Sequence, residues 1–168
     1  MNKIPILDDA SIRTRLSRMA YEVFENHYGL KRLTVIGIDE RGGYLAAELS
    51  QHLRGVSDLD IHLVKSELDR EGETLGIDLE IEDLQELRGQ ALVVVDDVLY
   101  TGRTLMHVVS ILLHAAPSSI QTAVLIDRGH RQFPVAADIV GLPLATTLHQ
   151  HVSVEMDSET HQLGAFLL

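Results

Sequence analysis

An open, mainly parallel α/β sheet flanked by helices is the fold this sequence predicts, on three observations. Short apolar, β-branched runs at residues 33–38, 91–95 and 120–126 are interleaved with helical patterns. The first two of these runs lead into glycine-bearing junctions that open helices, the order expected of a crossover sheet. The run Ala91-Leu92-Val93-Val94-Val95 is continuously apolar, as in a strand covered on both faces. At 168 residues, 45% apolar and 23% charged, the chain suits one domain over residues 1–168 and is unlike disordered or collagen-like chains.

The elements follow in order. Ile12, Leu16, Met19, Ala20, Val23 and Phe24 recur at helical spacing behind the cap-like Asp8, Asp9 and Ser11, which predicts an amphipathic helix ending near Gly29. Tyr21 and Tyr28 follow the same spacing and belong to core or interface. Residues 33–38 form a strand, 37–43 a glycine-bearing loop, and Leu45, Ala46, Leu49 and Leu53 mark the helix after it. Residues 60–65 alternate as a strand does. Residues 66–81 are acidic and weakly periodic, which predicts a mobile excursion or hairpin. A buried strand at 91–95 precedes a helix at 104–115 with Leu105, Val108, Val109, Leu112 and Leu113 inward. Strands at 120–126 and 138–140 and a terminal hairpin of 152–156 with 163–167 complete the sheet.

Composition narrows the function. The chain has no cysteine, so disulfides and thiolate metal sites are excluded. Its longest apolar runs fall far short of the roughly 20 residues of a membrane helix, and the N-terminal pattern is not that of a secretory leader, so a cytoplasmic protein is expected. Twenty-five acidic against fourteen basic residues give a net charge of −11, which repels nucleic acid and other anions at long range. A phosphate ligand must therefore meet local positive groups or arrive with a metal.

The most informative string is Asp96-Asp97-Val98-Leu99-Tyr100-Thr101-Gly102-Arg103-Thr104, at a strand-to-helix junction where open α/β sheets bind ligands. Adjacent carboxylates repel unless they meet hydroxyl donors or a cation. Thr101 to Thr104 supply two hydroxyls, a permissive glycine and the N–H groups of a helix start, the usual cradle for a phosphate. Acid pair and cradle together suit a sugar phosphate. Turn capping would explain one aspartate but not the string, and the spacing of a Walker phosphate loop is absent.

This string resembles the phosphoribosyl pyrophosphate (PRPP) motif of type I phosphoribosyltransferases, and its exact form is similar to that of the PyrR family of pyrimidine-operon attenuators and uracil phosphoribosyltransferases. The stretches Arg13 to Glu22, Gly37-Ile38-x-x-Arg41-Gly42 and Ala123 to Pro134, continued by Ala137 to Gly141, agree, so the resemblance covers roughly residues 8–156. It implies a type I phosphoribosyltransferase fold with a flexible hood at 66–81, and transfer of ribose 5-phosphate from PRPP to uracil, giving UMP and pyrophosphate. Another acceptor base, or a nucleotide-sensing RNA regulator with little catalysis, is the alternative.

The resemblance also assigns roles. Asp96 and Asp97 would hold the ribose hydroxyls, and Tyr100, Thr101, Gly102, Arg103 and Thr104 the 5′-phosphate. Arg41, Gly42 and Lys65 would face the pyrophosphate, and Asp127, Arg128 and Val140 the base. Magnesium would enter with PRPP, near Asp96 and Asp97. Tyr100 stands where hypoxanthine-guanine relatives carry an aspartate, which favours a pyrimidine. Arg13, Arg15, Arg18 and Arg131 retain part of a basic surface for an mRNA leader, which the net charge opposes, and a homodimer or larger homo-oligomer is expected. The loop departs from the family at Asp39 and Glu40, where an arginine and a threonine are usual; two carboxylates beside a pyrophosphate are unfavourable unless they turn away or recruit magnesium. Of nine histidines, His149 and His151 share a face if their segment is a strand, but they lack acidic partners for a metal; His130 alone belongs near the cleft.

Overall fold

A computed structural model describes residues 3–69, 76–147, 150–157 and 159–168. The chain runs β1 (Ile4–Leu7), α1 (Asp9–Asn26), β2 (Arg32–Ile38), α2 (Asp39–Val56), β3 (Asp60–Asp69), β4 (Gly76–Leu79), β5 (Ala91–Leu99), α3 (Arg103–Leu112), β6 (Ser119–Asp127), β7 (Ile139–Pro143), β8 (Val152–Met156) and β9 (Leu163–Leu167). Six strands form one sheet in the order β4-β3-β2-β5-β6-β7, parallel except for β4. A second sheet, β1-β9-β8, is antiparallel.

The period of two in a strand divides the core into two layers. Leu33, Val35, Val93, Val95, Ala123 and Leu125 face α1 and α2, whereas Ile36, Val94 and Val124 meet Leu105, Val108 and Leu112 of α3. β5 is therefore covered on both faces, as its unbroken apolar run requires. Asp8 caps α1 by accepting from the N–H of Ser11 at 2.8 Å, and Asp9 accepts from the N–H of Leu163 at 2.9 Å, which ties the helix to β9.

Several expectations are corrected. No loop separates β2 from α2: the helix starts at Asp39, directly after the strand. Close packing forces this, because a Cβ on Gly37 would lie 2.5 Å from the Gly43 Cα and 2.7 Å from the Gly42 carbonyl oxygen. Asp39 turns the chain there with φ +57°. β5 continues past Val95 to Leu99 because Asp96, Val98 and Leu99 still pair with Val124, Ile126 and Asp127 of β6. β3 likewise passes Lys65 to Asp69 and pairs with β4, so the excursion is built partly as a hairpin; its residues 70–75 lie outside the described residues. Leu113 points outward, since the last turn tightens into a 3₁₀ helix at Leu113–Ala115. β1 was not foreseen.

The glycine contacts generate a paired prediction. Gly37→Ala should destabilise the protein by about 1–3 kcal/mol in urea unfolding, because its methyl meets backbone that cannot yield. Gly43→Ala, whose Cβ would meet nothing within 4 Å, should stabilise it by about 0.5–1 kcal/mol.

Candidate active site

The carboxyl ends of β2, β3 and β5 converge on one cleft, where open α/β sheets bind ligands. A cavity of ≈ 440 Å³ there is lined by Asp39, Glu40, Arg41, Asp96, Asp97 and Thr104, with apolar side chains between them. It joins the start of α2 to the start of α3 across the end of β5.

The acid pair is held by its own backbone. Asp96 Oδ1 accepts from the N–H of Asp97 at 2.9 Å, and Asp97 Oδ1 from the N–H of Val98 at 2.7 Å. Removal from water, then the neighbouring Asp97 carboxylate, raises the Asp96 carboxyl well above its ordinary range; the Asp97 N–H opposes this shift, and the charge of Asp39 adds to it. Arg41 places Nη1 3.7 Å from Asp97 Oδ2, a loose and half-exposed pair that leaves the guanidinium available to a ligand.

The cradle at the start of α3 is built as an uncapped helix start. Gly102, the N-cap of α3, has φ +84° and no side chain to satisfy the first-turn N–H groups; the Thr101 hydroxyl accepts only from the N–H of Arg103, at 3.3 Å. A Cβ at Gly102 would come within 2.6 Å of Val135 Cγ1. The Thr101 carbonyl accepts from the N–H groups of Gln132 and Phe133 at 2.9 and 3.1 Å, so the loop after β6 braces the cradle, with exposed Arg131 beside it.

A third group lies beyond Tyr100. The Arg128 guanidinium stacks over the Tyr100 ring, 4.0 Å from its centroid, and is 3% exposed. Its Nε donates to Thr146 Oγ1 at 3.0 Å and its Nη2 to the carbonyls of Thr147 and Gln150 at 3.2 and 2.5 Å. His130 donates from Nε2 to the Thr146 carbonyl at 2.5 Å and meets Tyr100 edge-on at 6.1 Å. Asp127 closes the turn by accepting from the N–H of Gly129 at 2.8 Å. Thr146 and Gln150 were missed in the sequence, where nothing marks an acceptor for an arginine about twenty residues upstream.

The remaining sequence-derived positions divide. Lys65 borders an adjoining cavity of ≈ 480 Å³ that shares Asp39 and Glu40 with the first. Gly42 packs beneath the cleft, where a Cβ would meet the Val95 carbonyl at 2.7 Å. Val140 is not among the residues lining the cleft: it pairs with Val124 from the edge strand β7, and its carbonyl accepts from Arg18 Nη2 at 2.7 Å. Arg13 pairs with Asp9 at 2.8 Å and Glu48 at 2.5 Å, Arg18 also pairs with Glu22, and Arg15 donates to the Ser11 carbonyl at 3.4 Å. His149 lies outside the described residues, and among those described no group of three or more His, Cys, Asp or Glu is arranged to hold a metal.

Comparison with known proteins agrees with this geometry. Residues 6–159 match the phosphoribosyl transferase domain family. The protein called bifunctional protein PyrR of Bacillus subtilis is 36% identical over 168 aligned residues, covering 92% of this chain and 91% of the relative. Its namesake in Streptococcus thermophilus is 35% identical over 158, covering 92% and 90%. The chain belongs to the PyrR family of phosphoribosyltransferases. In solved structures, a hypoxanthine phosphoribosyltransferase from Trypanosoma cruzi superposes with TM-score 0.80 over 98% of this chain and 95% of its own, at 19% identity. A hypoxanthine-guanine phosphoribosyltransferase from Bacillus anthracis gives 0.75 over 86% of each chain at 17% identity, a likeness of fold. The fold is that of the type I phosphoribosyltransferases.

The raised Asp96 carboxyl gives a signed pH dependence. Its native-state affinity for the proton exceeds that of the unfolded chain, so its contribution is full below the unfolded value of about 3.9 and is lost as pH rises through the native value. Asp96→Asn should therefore raise the unfolding free energy at pH 7, with the gain shrinking toward about pH 4, in urea titrations at both values.

Proposed function

We propose that this protein transfers the 5-phosphoribosyl group of PRPP to a nucleobase, with uracil as acceptor, giving UMP and pyrophosphate. The observation that carries the reading is that a single cavity runs from Thr104 past Asp96 and Asp97 to Arg41. A pentose with a phosphate at C5 and a pyrophosphate at C1 needs that sequence of groups: helix N–H and hydroxyls, then carboxylates for the ribose hydroxyls, then a cation.

In this reading Thr101, Thr104 and the first-turn N–H groups of α3 hold the 5′-phosphate, with Gly102 and Arg103 shaping the turn. Asp96 and Asp97 accept from the ribose 2′ and 3′ hydroxyls and face the positive charge that develops at C1′ as the leaving group departs. Arg41 and Lys65 take up the negative charge on pyrophosphate. Tyr100, fixed by Arg128 and His130, borders the base with Asp127. The cleft carboxylates suit a hard divalent cation, and the raised Asp96 carboxyl marks negative charge that one would relieve. Magnesium, when bound with PRPP, would screen the pyrophosphate oxygens. Leu68 of β3 borders the cleft, and β3 with its partner strand β4 would act as a hood that limits water, the competing nucleophile.

RNA binding is the second reading, favoured by the word bifunctional in the relatives' name. Against it, Arg13 and Arg18 are already paired with carboxylates of this chain, and the net charge is −11. A gel shift with a pyrimidine-operon leader RNA, with and without UMP at low salt, separates the two.

Purified protein with magnesium and PRPP should release pyrophosphate with uracil in preference to other bases; no release with any base sinks the reading. Asp97→Asn should lower kcat/KM for PRPP by about a hundredfold or more while leaving the thermal midpoint near that of the parent.

A further inference from the structure

We propose that Val135, on the loop after β6, is a positioning residue for the ligand's 5-phosphate, acting through the Gly102 turn from which α3 starts. The inference rests on the transferase reading. It adds a side chain outside the Asp96 to Thr104 string that sets how tightly the phosphate end of the ligand is gripped.

The turn does not hold itself. Gly102 stands at φ +84° and ψ 0° with no side chain to cap the helix, and a glycine visits positive and negative φ about equally. The direction of the first-turn N–H groups of α3 therefore depends on what fixes the peptides on either side of it. On the helix side the Gly102 carbonyl accepts from the N–H of Met106 at 2.9 Å, an ordinary helical bond. On the strand side the restraint comes from elsewhere in the chain, where the N–H groups of Gln132 and Phe133 both donate to the Thr101 carbonyl. A trans peptide is planar with C=O and N–H on opposite sides, so holding that carbonyl also sets the direction of the Gly102 N–H.

Val135 closes the arrangement sterically. A Cβ on Gly102 would fall 2.6 Å from Val135 Cγ1, so a valine methyl already occupies the space beside the Gly102 Cα. The next nearest atoms, the Phe133 carbonyl oxygen and Leu99 Cδ1, would lie at 3.7 and 3.8 Å, which is ordinary contact. Val135 is itself held twice: its N–H donates to the Phe133 carbonyl at 2.8 Å, and its side chain packs on the core layer that contains Leu105 and Val108 of α3. One branched side chain thus carries the rigidity of the core to the phosphate turn. Shortening it leaves the hydrogen bonds to Thr101 in place but gives the glycine room to rotate.

Steady-state kinetics with PRPP and uracil, together with thermal midpoints, test this on the parent, Val135→Ala, Gly102→Ala and the double variant. Leu112→Ala, a buried residue of the same core layer at the far end of α3, controls for lost packing alone. Val135→Ala should raise KM for PRPP by about five- to tenfold and leave kcat and KM for uracil within about twofold, as loss of ground-state binding does. Leu112→Ala should lower the thermal midpoint without moving KM for PRPP. In the double variant the sign should reverse. Gly102→Ala raises KM through its collision with Val135, so adding Val135→Ala should lower it again by about threefold or more, a coupling that independent sites do not show. If Val135→Ala leaves KM for PRPP at the parent value, if Leu112→Ala raises it as much, or if the two substitutions simply multiply, the inference fails and the transferase reading survives. If the parent releases no pyrophosphate with any base, both fail.

Discussion

Two carboxylates at the end of a strand buried on both faces are the constraint around which this molecule is organised. Asp96 and Asp97 extend β5 beyond the apolar run that fixes it in the core, so their position is set by packing that they do not share. They are adjacent and partly buried, and desolvation together with the Asp97 charge raises the Asp96 carboxyl. Relief comes from the Asp97 and Val98 N–H groups and, loosely, from Arg41. The site is thus left electrostatically incomplete, with Arg41 at 3.7 Å from Asp97.

The surroundings keep that site open and rigid at once. The glycines of β2 and α2 let the helix begin against the strand ends, which carries Arg41 to the acid pair. On the other side the loop after β6 bonds to Thr101, and Arg128 joins Tyr100 to the chain near Thr146 and Gln150. A buried guanidinium that donates to a hydroxyl and two carbonyls and stacks on a ring acts as a clamp between the Tyr100 turn and the chain near Thr146 and Gln150, and its removal would leave those carbonyls unsatisfied. The second sheet adds a further tie: Lys3 on the segment entering β1 meets Glu155 of β8 at 2.6 Å and holds that carboxyl below its ordinary range, with Arg41 contributing.

Much of this was legible in the sequence. The alternation of apolar runs gave the parallel sheet, the spacing of Ile12, Leu16, Met19 and Val23 gave α1, and the Asp96 to Thr104 string marked the junction where the cavity lies. Other features were not. β1 pairs only with β9, at the far end of the chain, so no local pattern announces it. Asp96 to Leu99 look like the start of a loop because the polarity of Asp96 and Asp97 conceals strand pairing with β6. Arg13 and Arg18 resemble a basic surface until Glu48 and the Val140 carbonyl, distant in sequence, are found against them.

By itself the sequence determined what is local: periodicity, caps, the order of strand and helix, and the chemical types set side by side in the motif. Hydrogen bonding and side-chain period act over a few residues, so they leave a readable trace. Only the tertiary structure decided which charged groups, rings and carboxylates meet one another. Arg41 against Asp97 and Arg128 against Tyr100 are contacts between separate elements, and the charge of Asp39 acts on Asp96 from another element. Coulombic and stacking energies depend on distance in space, and folding sets those distances without leaving a spacing rule along the chain.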